Sequence, residues 1–403
     1  MRLGIQSDLA IHGGTATRAN FLVYGKPSIE EAEIDEVVQT LRSGWLGTGP
    51  RVHDFEERFK RYTSARHAVA LNSCTAGLHL ALKVLGIGPG DEVITTPMTF
   101  VATANVILHC GARPVFVDVD RFKMTIDASL IETAITPRTK ALLPVHFGGR
   151  ACEMDCLQDI ARRHNLQIIE DAAHAIETDF AGHKVGAIGD VTCFSFYVTK
   201  NLTTGEGGML TTDDPSIAQR VRTLSLHGLS HDAWNRYSHQ GYKHYDVVEP
   251  GFKYNMTDLQ AAIGLHQLER LESNYKRRSQ IWERYNQAFS DLPVFLPSST
   301  DPPHSRHSLH LYTLLLDVDN LSQGRDFVLG ALRAENIGTG VHYTAVHLYT
   351  YFQQNLGCFR GQFPNAEWIS DRTLTLPLGP SMTDGDVEDV IAAVRKVLEH
   401  IRR

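Results

Sequence analysis

Residues 194–208 read FSFYVTKNLTTGEGG and set a single lysine, Lys200, between an apolar strand-like run and a glycine-rich turn. Most lysines are solvated surface charges. One bounded by two strand-like runs is better placed for nucleophilic chemistry, with Ser195 and Thr199 supplying hydroxyls and Gly205, Gly207 and Gly208 permitting close backbone approach. Asp171 ends LQIIED (166–171), where a parallel strand would stop and turn its last side chain toward a ligand crevice. An N-cap on the next helix is an equally weighted alternative for that aspartate. SCTAG (73–77) passes from a strand-like run into a helix, so its freed N–H groups and the Ser73 and Thr75 hydroxyls suit a phosphate, or serve as an ordinary cap.

Taken together, an anion cradle, a strand-end carboxylate and an amine on neighbouring strands are what pyridoxal 5'-phosphate (PLP) requires. The carboxylate keeps the pyridine nitrogen protonated, the ring becomes an electron sink, and the lysine amine carries the proton. A nicotinamide enzyme would show G-x-G-x-x-G at the first strand-to-helix turn, and a P-loop would show G-x-x-x-x-G-K-[ST]; SCTAG is neither. Cys152 and Cys156, near His146 and His164, give a C-x3-C spacing, but four suitably disposed metal ligands are not evident and no metal is expected.

The elements that must position these groups alternate regularly from 67 to 212. Strand-like HAVAL (67–71), EVITT (92–96), PVFVDV (114–119), ALLPV (141–145) and LQIIED are separated by helical patterns after 73, at about 99–109, near 127–135 and near 155–164. VTCFSF (191–196) and GMLTT (208–212) flank the lysine. This βαβ order predicts an α/β fold with a doubly wound, mostly parallel sheet whose ligands sit beyond the strand C-termini. Residues 229–256 are polar, aromatic and turn-rich, too long for a tight connection, and read as a functional loop. One long helical stretch (257–289) then leads into a smaller unit with strand-like 311–318, a helix from 325 and a last helix from about 384. The division expected is an N-terminal extension (1–20), a large domain (21–268) and a small C-terminal α+β domain (269–403).

The chain of 403 residues is long enough for two or three packed units. A net charge of -7 offers no basic footprint for nucleic acid. Six scattered cysteines suit a reducing compartment, and no run approaches a membrane span or a secretory signal, so a cytoplasmic protein is expected.

GDVTCFSFYVTKNLTTGEGG, IIEDAAHA, NSCTAGLHLAL, GDEVITTPMTF, ITPRTKALLPVHFGG and PGFKYNMTDLQAAIGLHQLERL, in that company and spacing, resemble the DegT/DnrJ/StrS family of sugar aminotransferases, from about residue 21 to the C-terminus. The resemblance implies the type I PLP-dependent aminotransferase fold and a set of roles. Lys200 bonds the cofactor, Asp171 pairs with its ring nitrogen, and Phe100 stacks on its face. Thr75, Ala76 and Ser195 hold its phosphate, and His174 lies near its ring oxygen. Asn255 would reach the phosphate in the neighbouring subunit of a homodimer, or cap the helix expected at 257. SGWLGTGP (43–50) and GTGVHYTAVH (338–347) resemble substrate-facing segments and nominate Trp45, Thr48, His342 and Tyr343.

KNLTTGEGG resembles members that aminate C4 of a nucleotide-linked keto sugar, and EDAAHA, GTGVHY and FPNAEW resemble the UDP-4-amino-4-deoxy-L-arabinose aminotransferases. SDLAIHGGTATR resembles a leader of other branches, aminocyclitol aminotransferases among them, which leaves C3 amination or a keto-cyclitol open. The implied reaction moves an amino group from L-glutamate, leaving 2-oxoglutarate and pyridoxamine 5'-phosphate, and then to the keto sugar. Dehydratases on the same scaffold replace the lysine by histidine, and Lys200 argues against them. A non-catalytic sugar-binding or regulatory protein on this fold is the alternative from another class.

Overall fold

The computed structural model describes residues 8–229, 246–298 and 301–403. Two helices, α1 (Glu31–Ser43) and α2 (Pro50–Thr63), precede an alternating run: β1 (His67–Leu71), α3 (Cys74–Val84), β2 (Glu92–Thr95), α4 (Ala102–His109), β3 (Arg113–Phe116), α5 (Ile131–Ala134), β4 (Thr139–Leu142), α6 (Met154–His164) and β5 (Gln167–Asp171). A small hairpin of β6 (Asp179–Phe180) and β7 (His183–Lys184) leads to β8 (Val191–Ser195), β9 (Gly208–Thr212) and α7 (Pro215–Ser225). The C-terminal part comprises α8 (Asp258–Glu269), α9 (Leu271–Phe289), β10 (Val294–Phe295), β11 (Tyr312–Leu316), α10 (Arg325–Ala334), α11 (Thr350–Leu356), α12 (Pro364–Arg372), β12 (Thr373–Leu376) and α13 (Asp384–Ile401).

Seven strands form the large sheet in the order β1-β9-β8-β5-β4-β2-β3. All run parallel except β9, which is antiparallel to both β1 and β8. Strand periodicity sends alternate residues to opposite faces, and both faces are covered. Val69 and Leu71 pack with α3, α4 and α7 on one side, while Ala68 and Ala70 pack with α2 and α8 on the other. The doubly wound, mostly parallel sheet expected from the sequence is therefore present.

A second sheet, β10-β11-β12, is antiparallel and shares its core with α9, α10 and α13. Leu9 is fully buried in that core. Glu335, also fully buried, accepts hydrogen bonds from Ala10 N at 2.9 Å and Thr17 N at 2.8 Å and pairs with Lys396 of α13 at 2.8 Å. The first described residues are thus fastened to the last helix.

Some expected elements differ in detail. The helical stretch 257–289 is two helices that break at Arg270, whose guanidinium is engaged by Glu30 and Glu33 near the start of α1. The helix expected near 127–135 is a 3-10 turn (Ala128–Leu130) and the single turn α5, which ends at Ile135, already in extended backbone, two residues before Pro137. Of the long loop 229–256, residues 230–245 lie outside the described residues; the remainder returns to the large unit through bridges Leu226 to Lys253 and Leu71 to Asn255. Among the described residues no helix is long and apolar enough to cross a membrane.

Candidate active site

The C-terminal ends of β5 and β8, the N-terminus of α3 and the start of β9 converge on a cavity of about 470 Å³. Lys200, Asp171, Thr75, Phe100, His174, Ser195, His342 and Tyr343 all line it.

Lys200 lies in the turn between β8 and β9, its N–H donating to Tyr197 O at 2.9 Å. Burial lowers its pKa to about 8, outweighing the raising pull of Cys74 and Asp171. An amine so placed sheds its proton readily and becomes nucleophilic. Asp171 is 5% exposed; its Oδ2 accepts from Thr103 Oγ1 at 2.8 Å and its Oδ1 from Ala173 N at 3.1 Å. Burial raises its pKa in spite of these donors and of Lys200. A carboxylate held dry in this way is short of positive charge, and a protonated pyridine nitrogen supplies it. Asp171 does not cap a helix, contrary to the alternative weighed for it: residues 172–178 are turns leading to β6, and its Oδ1 accepts only the local N–H of Ala173.

The phosphate cradle is built by close backbone approach. A Cβ at Gly208 would stand 2.4 Å from Ser73 C and 2.5 Å from Cys74 N, so only glycine lets β9 begin against the first turn of α3. Ser73 caps α3, accepting from Ala76 N at 3.1 Å. The first turn of α3 leaves further N–H groups without intrahelical acceptors, a helix end of the kind that suits an anion. Ala76 itself is buried and its N–H is taken by Ser73, whereas Thr75 and Ser195 face the cavity. Dry carboxylate, near-neutral amine and helix N-terminus together fit PLP.

On the opposite wall, His174 Nδ1 accepts from Gly148 N at 3.2 Å and its Nε2 lies 3.2 Å from Tyr343 Oη. Burial, reinforced by the Lys200 charge, holds His174 well below the usual histidine range. His342 bonds Thr375 Oγ1 at 2.9 Å and is lowered to about 4 by burial. Phe100 presents its ring at 58% exposure, 6.0 Å from that of Tyr343.

Three nominated residues lie elsewhere. Trp45 and Thr48 line a second cavity of about 560 Å³ between the start of α2 and α7. Asn255 is tied to Thr48, its Nδ2 donating to Thr48 Oγ1 at 2.7 Å. Asn255 does not cap α8, contrary to the alternative weighed for it: Thr257 does, in a capping box with Gln260. Among the cavity residues not anticipated from sequence are Thr103 and His310. Thr103 sits in the first turn of α4, where Thr99 Oγ1 lies 2.7 Å from its hydroxyl. His310, in SLHLY just before β11, is contributed by the C-terminal unit. His146, weighed for a metal, is fully buried with Nε2 on Glu170 at 2.8 Å and Nδ1 accepting from Cys152 N.

Comparison with known proteins agrees with this geometry. The model of the DegT/DnrJ/EryC1/StrS aminotransferase family matches residues 27–395. The spore coat polysaccharide biosynthesis protein SpsC of Bacillus subtilis (strain 168) is 53% identical over 384 residues, covering 95% of this chain and 98% of its own. Among solved structures, Spr1654 of Streptococcus pneumoniae in its PLP form superposes with a TM-score of 0.88 at 35% identity, over 95% of this chain and 100% of the other, and the same protein is known in a pyridoxamine phosphate form. DesI, solved in the presence of its TDP-sugar product, gives a TM-score of 0.85 at 32% identity, over 96% and 95% of the two chains.

Proposed function

This chain belongs to the DegT/DnrJ/EryC1/StrS aminotransferase family and is a PLP-dependent transaminase acting on sugars, and we propose that it carries an amino group from L-glutamate to C4 of a nucleotide-linked keto sugar. The single observation that carries the reading is the meeting of Lys200, Asp171 and the N-terminus of α3 in one cavity. The nucleotide is supported by DesI, solved in the presence of its TDP-sugar product, and position C4 by the KNLTTGEGG sequence.

PLP, when bound, supplies an electron-withdrawing ring that relays an amino group between two carbonyl carbons. The residues of this chain do the rest. Lys200 Nζ takes the proton from the amino-bearing carbon of the donor and returns protons in the second half, for which a pKa of about 8 is suited. Asp171 holds a proton on the ring nitrogen by charge. The first turn of α3, with Thr75 and Ser195, binds the phosphate. Phe100 and His174, which line the cavity, would hold the ring from one face and beside its oxygen. Trp45, Thr48, His342 and Tyr343 serve the sugar nucleotide. Asn255, tied to Thr48 away from this cavity, serves the site of a second subunit, so the active form is a homodimer.

The test is incubation of the PLP-loaded protein with L-glutamate and UDP-, dTDP- and GDP-linked 4-keto sugars, with products followed by mass. Amino-sugar formation with one carrier is the expected result. Bleaching of the cofactor band by glutamate without any amino sugar would remove the sugar-nucleotide assignment, and no bleaching would remove the donor.

A further inference from the structure

One polar atom of the cavity has no part in the proton transfers above. His310 is 7% exposed, lines the cavity, and lies with its ring centroid 4.6 Å from that of His174. Its Nδ1 is 2.9 Å from Asn201 Oδ1. The Asn201 amide fits only one way round. Its nitrogen reaches Glu177 Oε2 at 2.8 Å and the Ser308 carbonyl at 3.1 Å, both acceptors, so an oxygen in that place would face two lone-pair partners. Glu177 is itself pinned through its other oxygen by Arg278, and both are essentially inaccessible to solvent.

Asn201 Oδ1 must therefore accept, and His310 Nδ1 must donate. Burial and the nearby Lys200 charge keep the imidazole neutral, which leaves Nε2 with a lone pair and no donor among the described residues. His174 is polarised the other way. Gly148 N–H occupies its Nδ1, so Nε2 carries the hydrogen and gives it to Tyr343 Oη. Two adjacent rings thus present opposite polarity, one accepting and one donating.

This acceptor opens onto the cavity, where only solvent can donate to it, so a ligand that displaces that water is favoured if it brings a donor of its own. The carboxylates of an amino-acid donor and the phosphate of the cofactor bring acceptors. A sugar ring brings neutral hydroxyls. We infer that His310 Nε2 is a specificity-determining acceptor for a ring hydroxyl of the keto sugar, held in that polarity by the chain Arg278–Glu177–Asn201; this rests on the sugar-aminotransferase reading above.

The experiment compares the wild-type holoenzyme with H310F and H310Q, using the keto sugar nucleotide turned over fastest by the wild type together with its analogues in which each ring hydroxyl is replaced by hydrogen or by fluorine. Because the hydroxyl donates, fluorine should not rescue it. At one ring position the wild type should lose at least about tenfold in kcat/KM for both the deoxy and the fluoro analogue. In H310F the parent should fall to the level of those analogues, with discrimination at that position reduced to within about twofold, and H310Q, which keeps an acceptor oxygen, should retain part of it. Retention of the PLP absorption band certifies that each variant is folded and loaded. Discrimination unchanged in both variants, or a fluoro analogue as good as the parent at every position, overturns the assignment while leaving the function reading intact. Failure of the wild type to aminate any sugar nucleotide overturns the function reading, and this inference with it.

Discussion

Thr103 Oγ1 lies 2.8 Å from Asp171 Oδ2, across the crevice between the first turn of α4 and the end of β5. That hydroxyl has a single proton, and giving it to the carboxylate leaves Thr99 Oγ1, 2.7 Å away, to donate to Thr103 in turn. The carboxylate is thereby oriented in a place where burial alone raises its pKa.

Removing the donor should weaken the acid without removing it. T103V is expected to lower kcat about tenfold, and T103S to recover most of the loss, since a hydrogen bond to a charged group contributes roughly 1.5–3 kcal/mol. D171N should still capture PLP yet transaminate poorly, because a neutral amide gives the ring nitrogen no charge to hold its proton. Steady-state kinetics with a coupled assay for 2-oxoglutarate decide the matter; full activity in D171N would remove that residue from the mechanism.

Lys200→Ala should abolish turnover, by on the order of a thousandfold or more, while non-covalent binding of PLP persists. The wild-type amine, lowered to about 8 by burial, is mostly protonated below that pH. The rate of covalent PLP capture, read from the visible band, should therefore climb as pH rises toward 8 and level off above it. Stability of the cofactor-free chain should rise with pH between about 8 and the ordinary 10.5, because over that window the unfolded amine keeps a proton that the buried one has released. A capture rate independent of pH from 6 to 9 would contradict the burial effect.

Gly208→Ala tests the cradle. Its Cβ would press on the Ser73 and Cys74 backbone, which has no rotamer with which to retreat. Loss of PLP affinity should exceed loss of thermal stability, and equilibrium dialysis beside a melting curve separates the two. Equal PLP affinity in G208A would show that the close approach is dispensable.

Leu9→Ala addresses the N-terminal segment. Leu9 is fully buried against the C-terminal core, so a cost of about 2–5 kcal/mol is expected in urea denaturation. The activity of the folded fraction should stay within about twofold. A variant as stable as the wild type would mean that the segment is not fastened as described.

The alternation of strands and helices was legible because period-2 and period-3.6 apolar patterns follow directly from which faces are buried, as Val69 and Ala70 show by pointing to different cores. Asp171 and Ser73 were legible because they stand at a strand end and a cap, and Lys200 because it lies in the turn between two apolar strand-like runs, where local chemistry marks the spot. Thr103 and His310 were not, since their importance comes from partners 68 and 109 positions away in sequence, Asp171 and Asn201. The division of α8 from α9 was equally hidden, because Arg270 is a good helix former and the break is made by contacts with the start of α1. Gly208 was recognisable as a site of close approach, but what approaches it could only be read from the packed chain.

Because β9 alone runs against its neighbours, its beginning and the finish of β8 lie side by side, with Ser195 paired to Gly208. The stretch bearing Lys200 is therefore tethered at both ends to the same ladder, like a hoop clamped to a bench. The backbone under the amine cannot drift without unzipping those rungs. His310, His342 and Tyr343 line the same cavity from the later, C-terminal part of the chain, so the site is complete only where that part packs against the ladder that holds the amine.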